Sequence, residues 1–447
     1  MITGDSKALQ HFLSGRIWPL EQLPFEQKMI EQVQRQGYLE LFSAVEWLNN
    51  KPQCQRCFCP SSDAYIRYHC AKCDKICVYC RHCLNMGRLS SCDWLVRWIG
   101  PAVDAVVEPR FAWDGQFTEA QARVSRELID SVKKRQSRLI HAVCGAGKTE
   151  ILFAAIYEAL TQNLRVCVAT PRTDVVLELA PRFQQVFPNI DVQALYGGAE
   201  QKLSYSSFIV ATTHQLLRFE DAFDVMFVDE ADAFPYTFDA TLQQAVQKAR
   251  KKLGVTILVT ATPDTAMKLQ YEKEAAYSFI PRRFHGYDLP VPRFESLWFY
   301  DKQLRMGRMP KKLARWLMGC EERGQPYLIF FSTIDLMEHA AALFSVPAVH
   351  AEDKERKEKV LALRSGEVAG LLTTTILERG ITIPRVQVAV IGAESAIFTA
   401  SALIQISGRV GRAQHEPTGD IVFFHHGVTR DMDVARREIK RLNAVVM

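Results

Sequence analysis

From about residue 110 onward, short apolar runs, turns and helix-spaced segments repeat along the chain. The runs Leu139–Val143, Val166–Thr170, Phe208–Ala211, Val225–Val228 and Thr256–Val259 are rich in β-branched residues and short enough for strands. Each is followed by a polar turn or a helical stretch such as 150–160. This alternation predicts a parallel sheet with helices on both faces. A stretch with Pro281, Pro290, Pro292 and several arginines interrupts it. The pattern then restarts with Tyr327–Phe331, Gly370–Thr374, Val386–Ile391 and Asp420–Phe424. The predicted fold class is α/β, with two tandem units. Ahead of them, Leu23, Phe25, Met29, Ile30 and Val33 recur at helix-like spacing, so residues 1–50 read as mostly helical.

The longest apolar-rich stretch, Val386–Ile406, is broken by Glu394, Gln405 and several Ser and Thr, and reads as buried sheet and helix rather than a membrane span. Residues 1–15 lack a basic segment followed by an apolar run, so no secretory signal is expected. The formal net charge of +5 over 447 residues permits a nucleic-acid partner without requiring one. Cysteine changes the picture more, because nine of the twelve lie between Cys54 and Cys92. In an unsecreted chain such clustering points to metal rather than disulfides.

The strand Leu139–Val143 runs into Cys144-Gly145-Ala146-Gly147-Lys148-Thr149 and then a helical stretch. Glycines let a backbone curl so that its N–H groups converge on phosphate oxygens, and the helix N-terminus adds its dipole to the same anion. Gly145, Ala146 and Gly147 would line the phosphates of ATP. Lys148 would reach the β and γ phosphates, and the Thr149 hydroxyl would hold Mg²⁺. Ala142 replaces the first glycine of the strict P-loop pattern, a change common in helicase-like P-loops.

Next, Val225–Val228 delivers Asp229-Glu230-Ala231-Asp232 at the carboxyl end of a predicted strand, where α/β sheets place ligand chemistry. Asp229 suits the Mg²⁺ shell, and Glu230 suits the base that orients or deprotonates the attacking water. Alone, Asp-Glu-x-Asp is more often a solvated acidic turn; behind a P-loop it reads as catalytic. Thr260-Ala261-Thr262 follows the next strand, with hydroxyls suited to bonding the acidic motif. In the second unit, Gln405-Ile406-Ser407-Gly408-Arg409-Val410-Gly411-Arg412 carries two arginines three apart, on one side of a predicted helical turn. Phosphoryl transfer needs positive charge on the γ-phosphate as its bonds loosen. Supplied from a second domain, that charge would make hydrolysis depend on closure. Gln405, Arg409 and Arg412 therefore join Glu230 as candidate catalytic residues.

Together these segments resemble the motif set of superfamily 2 helicases over residues 115–425. The resemblance implies that Phe117-Thr118-Glu119-Ala120-Gln121 reads adenine through Gln121. It also implies that Thr170-Pro171-Arg172 and Thr212-Thr213-His214-Gln215 contact a nucleic-acid strand from the first domain. Phe331-Ser332-Thr333 and 373–380 would do so from the second. Thr170, Arg172, Thr212, Thr213 and Thr374 would grip phosphates without reading bases. The implied architecture is two RecA-like domains, 101–283 and 301–447, joined by a linker at 284–300. They stand behind a helical segment at 1–50 and a zinc-binding module at 51–100.

The segments 79–88, 170–176, 349–354 and 375–380 more closely resemble the late-competence ComFA family. That resemblance implies a cytoplasmic, DNA-stimulated ATPase that helps draw transforming single-stranded DNA through the inner-membrane channel. It would work peripherally at the membrane, with channel proteins and a ComFC-like partner. The chain is also similar to the replication-restart helicase PriA, whose cysteine module lies inside its motor rather than ahead of it.

The turns Cys54-x-x-Cys57, Cys70-x-x-Cys73 and Cys80-x-x-Cys83 are three potential zinc knuckles, and two knuckles close a tetrahedral site. Sequential pairing would join Cys54, Cys57, Cys70 and Cys73. The ComFA resemblance implies instead that Cys54, Cys57, Cys80 and Cys83 share one ion, leaving Cys70, Cys73, Cys77 and Cys92 for a nested second. An iron–sulfur cluster and buried reduced thiols are the alternatives to zinc. Cys59 reads as a spare, and Cys144, Cys167 and Cys320 as passengers. Three functions stay open: a single-stranded DNA translocase, a PriA-type unwinding helicase, and an assembly factor in which ATP switches a zinc-based surface.

Overall fold

The computed structural model describes residues 4–104, 108–378 and 383–445. The chain divides into two compact units, 1–140 with 149–278 and 141–148 with 279–447. The first is built on a seven-stranded sheet. Its strand order is Val192–Leu195, Phe208–Thr212, Val166–Thr170, Phe223–Asp229, Arg250–Thr260, Arg138–Ala142, Tyr277–Ile280. The pairings from Val192–Leu195 through Arg250–Thr260 are all parallel. Val166–Thr170 and Phe208–Thr212 are buried at every position, as strands covered on both faces must be. Phe183, from helix Thr173–Val186, meets Phe208 edge-on at 5.0 Å and Phe153 of the neighbouring helix at 5.8 Å.

Residues 1–50 are less helical than their spacing predicts. Helices Gly4–Leu13 and Gln27–Arg35 are present, but Ile17–Pro19, Leu39–Ser43 and Val45–Leu48 are strands. The helical phase of Ile30 and Val33 holds only within Gln27–Arg35. Trp94–Trp98 pairs antiparallel with both Ile17–Pro19 and Leu39–Ser43, so residues on either side of position 50 build one sheet. That sheet and its helices bury Phe12, Trp18, Ile30, Val33 and Val96 together.

Two antiparallel hairpins, Val45–Leu48 with Lys51–Cys54 and Tyr65–Cys70 with Lys75–Cys80, carry Cys54, Cys70, Cys73, Cys77 and Cys80. This module is not a separate bead. Cys54, Cys57, Cys80 and Cys83 share a core with Leu216, Phe219, Met226 and Leu242 from the seven-stranded part. Lys248 donates to the Arg56 carbonyl at 2.6 Å and the Leu217 carbonyl at 2.9 Å, and burial pushes its ammonium down to about 8. Arg97 joins Glu40 at 2.9 Å to Glu220 at 2.8 Å.

The second unit carries a six-stranded sheet in the order Arg293–Ser296, Ile421–His425, Gln387–Ile391, Tyr327–Phe331, Gly370–Thr373, Ala348–Val349. All neighbouring pairs are parallel, so every carboxyl end lies on one edge. Arg293–Ser296 occupies sequence expected to be linker. The closing helix Arg430–Asn443 has acids in its first turn, bases in its last, and a Thr429 hydroxyl accepting the Met432 amide at 3.3 Å. Thr429→Ala should cost about 1 kcal/mol by removing that cap, read as a lower urea midpoint. No helix among the described residues is long and apolar enough to cross a membrane.

Candidate active site and metal centres

Strand Arg138–Ala142 leads into the P-loop, where Gly145 (φ 82°) and Gly147 (φ 75°) take left-handed conformations. A side chain would strain both turns. The Ala146 amide donates to the Val143 carbonyl at 3.1 Å, and a short 3-10 turn, Glu150–Leu152, precedes helix Phe153–Thr161. Lys148 and Thr149 thus stand at the start of a helical segment, as phosphate binding requires.

The P-loop shares its unit with the arginine motif. Cys144 Sγ donates to Gln405 Oε1 at 3.0 Å. Helix Ala400–Ser407 ends before the arginines, with Gly408 as its C-cap, so Arg409 and Arg412 do not share a helical face as expected. They sit in the turns beyond it. Arg409 is buried and donates Nε to the Glu378 carbonyl at 2.9 Å; Arg412 donates Nε to the Gly408 carbonyl at 3.0 Å. One participant was not legible in the sequence. Arg283 is buried, donates to the Gly411 carbonyl at 2.6 Å and packs beside Gly145, while the Phe284 amide donates to the Gly145 carbonyl at 3.0 Å. Burial pushes its guanidinium down to about 10. Its only sequence signal is an arginine in the proline-punctuated stretch at the end of the expected first domain.

In the seven-stranded sheet, Phe223–Asp229 ends at the acidic motif. Asp229 Oδ1 accepts the Glu230 amide at 2.9 Å. Glu230 has φ 54°, and its Oε2 is buried with no hydrogen-bond partner among the described residues. A buried carboxylate oxygen is costly unless a ligand or water meets it, which suits a group that handles a water molecule. The Thr262 hydroxyl donates to Asp232, and the Thr262 amide donates to Thr260 Oγ1 at 3.0 Å. Thr260-Ala261-Thr262 is therefore tied to the acidic turn. Gln121 is buried in a capping box: its Oε1 accepts the Thr118 amide at 2.8 Å, and its own amide donates to Thr118 Oγ1 at 3.3 Å.

The strand-contact candidates look different from the expectation. Thr170, Thr212 and Thr213 are buried, and the hydroxyls of Thr170 and Thr213 have no partner among the described residues. Arg172 is held by Asp174 through two bonds, at 2.8 and 3.1 Å. These side chains shape loops whose backbone could meet phosphate, rather than presenting hydroxyls to solvent. Thr374 is half-buried and follows strand Gly370–Thr373. Arg379 and Gly380 of the same motif lie outside the described residues.

The nine clustered cysteines sort into two groups of four, with Cys59 in neither. Cys54, Cys57, Cys80 and Cys83 form one, and Cys70, Cys73, Cys77 and Cys92 the other, with sulfurs in each group within 4.8 Å of one another. Sequential pairing of the first two knuckles is not the arrangement present. Sulfur separations are 3.7 Å (Cys54 to Cys83), 3.6 Å (Cys57 to Cys80), 3.6 Å (Cys70 to Cys92) and 3.4 Å (Cys73 to Cys77). Zn–S bonds of about 2.3 Å give a tetrahedral edge near 3.8 Å, whereas a disulfide needs about 2.05 Å. Both groups therefore fit a tetrahedral thiolate ion such as zinc. The first is buried and braced by Arg56, which donates to Cys83 Sγ at 3.4 Å and to the Cys83 carbonyl at 2.9 Å.

Comparison with known proteins agrees along the chain. Residues 4–97 match the competence protein ComFA N-terminal domain, 114–265 the type III restriction enzyme res subunit, and 309–414 the helicase conserved C-terminal domain. The chain is 44% identical to competence protein ComFA of Bacillus subtilis, covering 98% of this chain and 96% of that one. It is 39% identical to competence protein ComFA of Streptococcus pneumoniae, covering 82% and 85%. Its fold is similar to S. cerevisiae Dbp5 bound to RNA and ADP BeF3, with TM-score 0.55 at 17% identity over 74% of this chain and 89% of that one. With ComFA-type sequence along nearly its whole length and superfamily 2 helicase domains behind a cysteine module, the chain belongs to the competence protein ComFA family.

Proposed function

We propose that this protein couples ATP hydrolysis to stepping along single-stranded DNA, helping to import transforming DNA during competence. The observation that best supports an ATP-hydrolysing centre is the acidic turn. Asp232 is tied to Thr262, while Glu230 keeps a buried carboxylate oxygen with no hydrogen-bond partner among the described residues. In this reading Lys148 and the P-loop amides bind the phosphates, and Thr149 and Asp229 hold Mg²⁺. Glu230 orients the attacking water and takes its proton, while Arg409 and Arg412 neutralise charge as the γ-phosphoryl group leaves. Gln121 contacts adenine, and Gln405 helps position the water. Mg²⁺ held by Thr149 and Asp229 would supply Lewis acidity to the phosphates. The two cysteine groups would hold structural zinc. Peripheral attachment to an inner-membrane channel and a ComFC-like partner completes the reading.

Lys148→Ala is expected to weaken ATP binding at least tenfold, because a single charge anchors the β and γ phosphates. Fluorescent-nucleotide titration checks this, and equal affinity would remove the P-loop assignment. The functional test is steady-state ATPase with and without single-stranded DNA. Stimulation supports the motor; equal rates would favour a nucleotide-switched assembly factor.

A further inference from the structure

We infer that Trp298 and Phe299 form a base-stacking platform for single-stranded DNA on the second unit. The inference rests on the proposed motor function and extends its strand path to residues outside the helicase motifs. Trp298 is 60% exposed and Phe299 74% exposed. Phe299 also adopts φ 54°, ψ 28°, a left-handed backbone that bulky side chains rarely take. Strain of this kind collects at functional sites, and here it holds a large apolar ring out in solvent.

The platform is built from beneath. The Tyr300 hydroxyl donates to Glu394 Oε1 at 2.8 Å, and His426 Nδ1 lies 2.7 Å from the same oxygen. The His426 ring stacks on Tyr300 at 6.2 Å and lies tilted against Trp298 at 6.5 Å. Gly392, at φ 71°, makes this possible, since a Cβ there would come within 2.4 Å of the Tyr300 hydroxyl. The Gln303 side chain fixes the Trp298 carbonyl at 2.9 Å.

Charge and position name the occupant. Residues 300–316 contain six basic side chains (Lys302, Arg305, Arg308, Lys311, Lys312, Arg315) against one acid, Asp301, and all six are exposed. Lys302, Arg308, Lys311 and Arg315 form no ion pair among the described residues. Aromatic rings beside a basic strip are how proteins hold single strands, with rings taking bases and cations taking phosphates. The platform follows strand Arg293–Ser296, on the same carboxyl edge as Phe331-Ser332-Thr333 and Thr374. Four strand spacings, about 19 Å, separate its strand from that of Thr374. A strand crossing this edge would therefore run from the helicase motifs to the aromatic pair.

The test uses the full chain and fluorescein-labelled oligothymidylate, read by anisotropy across a NaCl series. Trp298→Ala with Phe299→Ala should weaken binding about tenfold or more, as lost base stacking does. The dependence on salt and the DNA-free ATPase should stay unchanged. Arg308→Ala with Lys311→Ala should instead flatten the salt dependence. An oligonucleotide of abasic sites should bind the wild type and the aromatic variant alike. Phe299→Gly relieves the backbone while removing the ring, so it should weaken binding without lowering the melting temperature. Wild-type affinity in the aromatic double variant would overturn the platform while leaving the motor intact. Absence of single-strand binding by the wild type itself would overturn the motor reading, and this surface with it.

Discussion

Arg412→Ala is expected to leave ATP affinity within a few-fold of wild type and to lower turnover by roughly 10³ or more, as loss of an arginine finger does. Binding survives because Lys148 and the P-loop amides hold the ground-state phosphates. Turnover falls because the guanidinium acts on charge that develops only as the γ-phosphoryl bond loosens. Arg412 is half-buried, and its Nε donates to the Gly408 carbonyl at 3.0 Å, which fixes the guanidinium within the arginine motif. Glu230→Gln should produce the complementary defect, tight ATP retention with hydrolysis slowed by about 10²–10⁴. DNA stimulation should largely vanish in both variants, even though Thr374 and the threonine loops remain. The measurement is steady-state turnover at saturating ATP, with nucleotide affinity determined separately. An Arg412 variant that keeps DNA-stimulated turnover near wild type would remove the arginine motif from the chemistry.

Metal removal should have an equally large effect of a different kind. Purified protein is expected to hold two zinc ions per chain, and Cys54→Ala and Cys80→Ala should each lower that to one. Those two cysteines lie in the same group of four, so losing either should act on the same ion. Structural zinc contributes about 10–16 kcal/mol in small zinc-finger peptides, comparable to the whole stability of a domain. Because Cys54, Cys57, Cys80 and Cys83 share a core with Phe219, Met226 and Leu242, the loss should reach the motor. Its melting temperature should fall together with that of the module. Cys59→Ala should retain both ions. Elemental analysis with thermal unfolding reads all three variants; a Cys80 variant with full zinc would refute the shared site, and bound iron would replace zinc with a cluster.

The legible parts of the fold were those buried on both faces. Val166–Thr170 and Tyr327–Phe331 are apolar runs buried at every position, and both were read to the residue. In the two large sheets the strands not foreseen, Val192–Leu195, Tyr277–Ile280, Arg293–Ser296 and Ala348–Val349, are the four edges. An edge strand pairs on one side only and tolerates polar residues and nearby prolines; thus Pro290 and Pro292 made Arg293–Ser296 look like linker. The N-terminal sheet was hidden for a different reason. Its middle strand, Trp94–Trp98, lies some eighty residues after Ile17–Pro19, and local spacing carries no trace of so distant a partner.

The chemistry divides similarly. The glycine turn at Gly145–Gly147 and the strand-end position of Asp229 were legible because both signals are local. Arg283 was not, since a buried arginine bonding the Gly411 carbonyl has no periodic signature. Burial of Thr170, Thr212 and Thr213 could not be foreseen either, because a motif gives residue type and order but not which way a hydroxyl points. Cysteine spacing alone left two pairings open, and hairpin geometry separates them. Tyr65 pairs with Cys80 across the hairpin and its hydroxyl accepts the Cys54 amide at 2.9 Å, so Cys54 lies at the Cys80 end, away from Cys70 at the turn.

The central claim is motion along one strand. Its most direct measurement is ATP-dependent displacement of streptavidin from biotin placed at either end of a single-stranded oligonucleotide. The account predicts rapid displacement from one end, slow displacement from the other, and neither with Glu230→Gln. Displacement from neither end by a wild type whose ATPase is nonetheless stimulated by the same strand would contradict it.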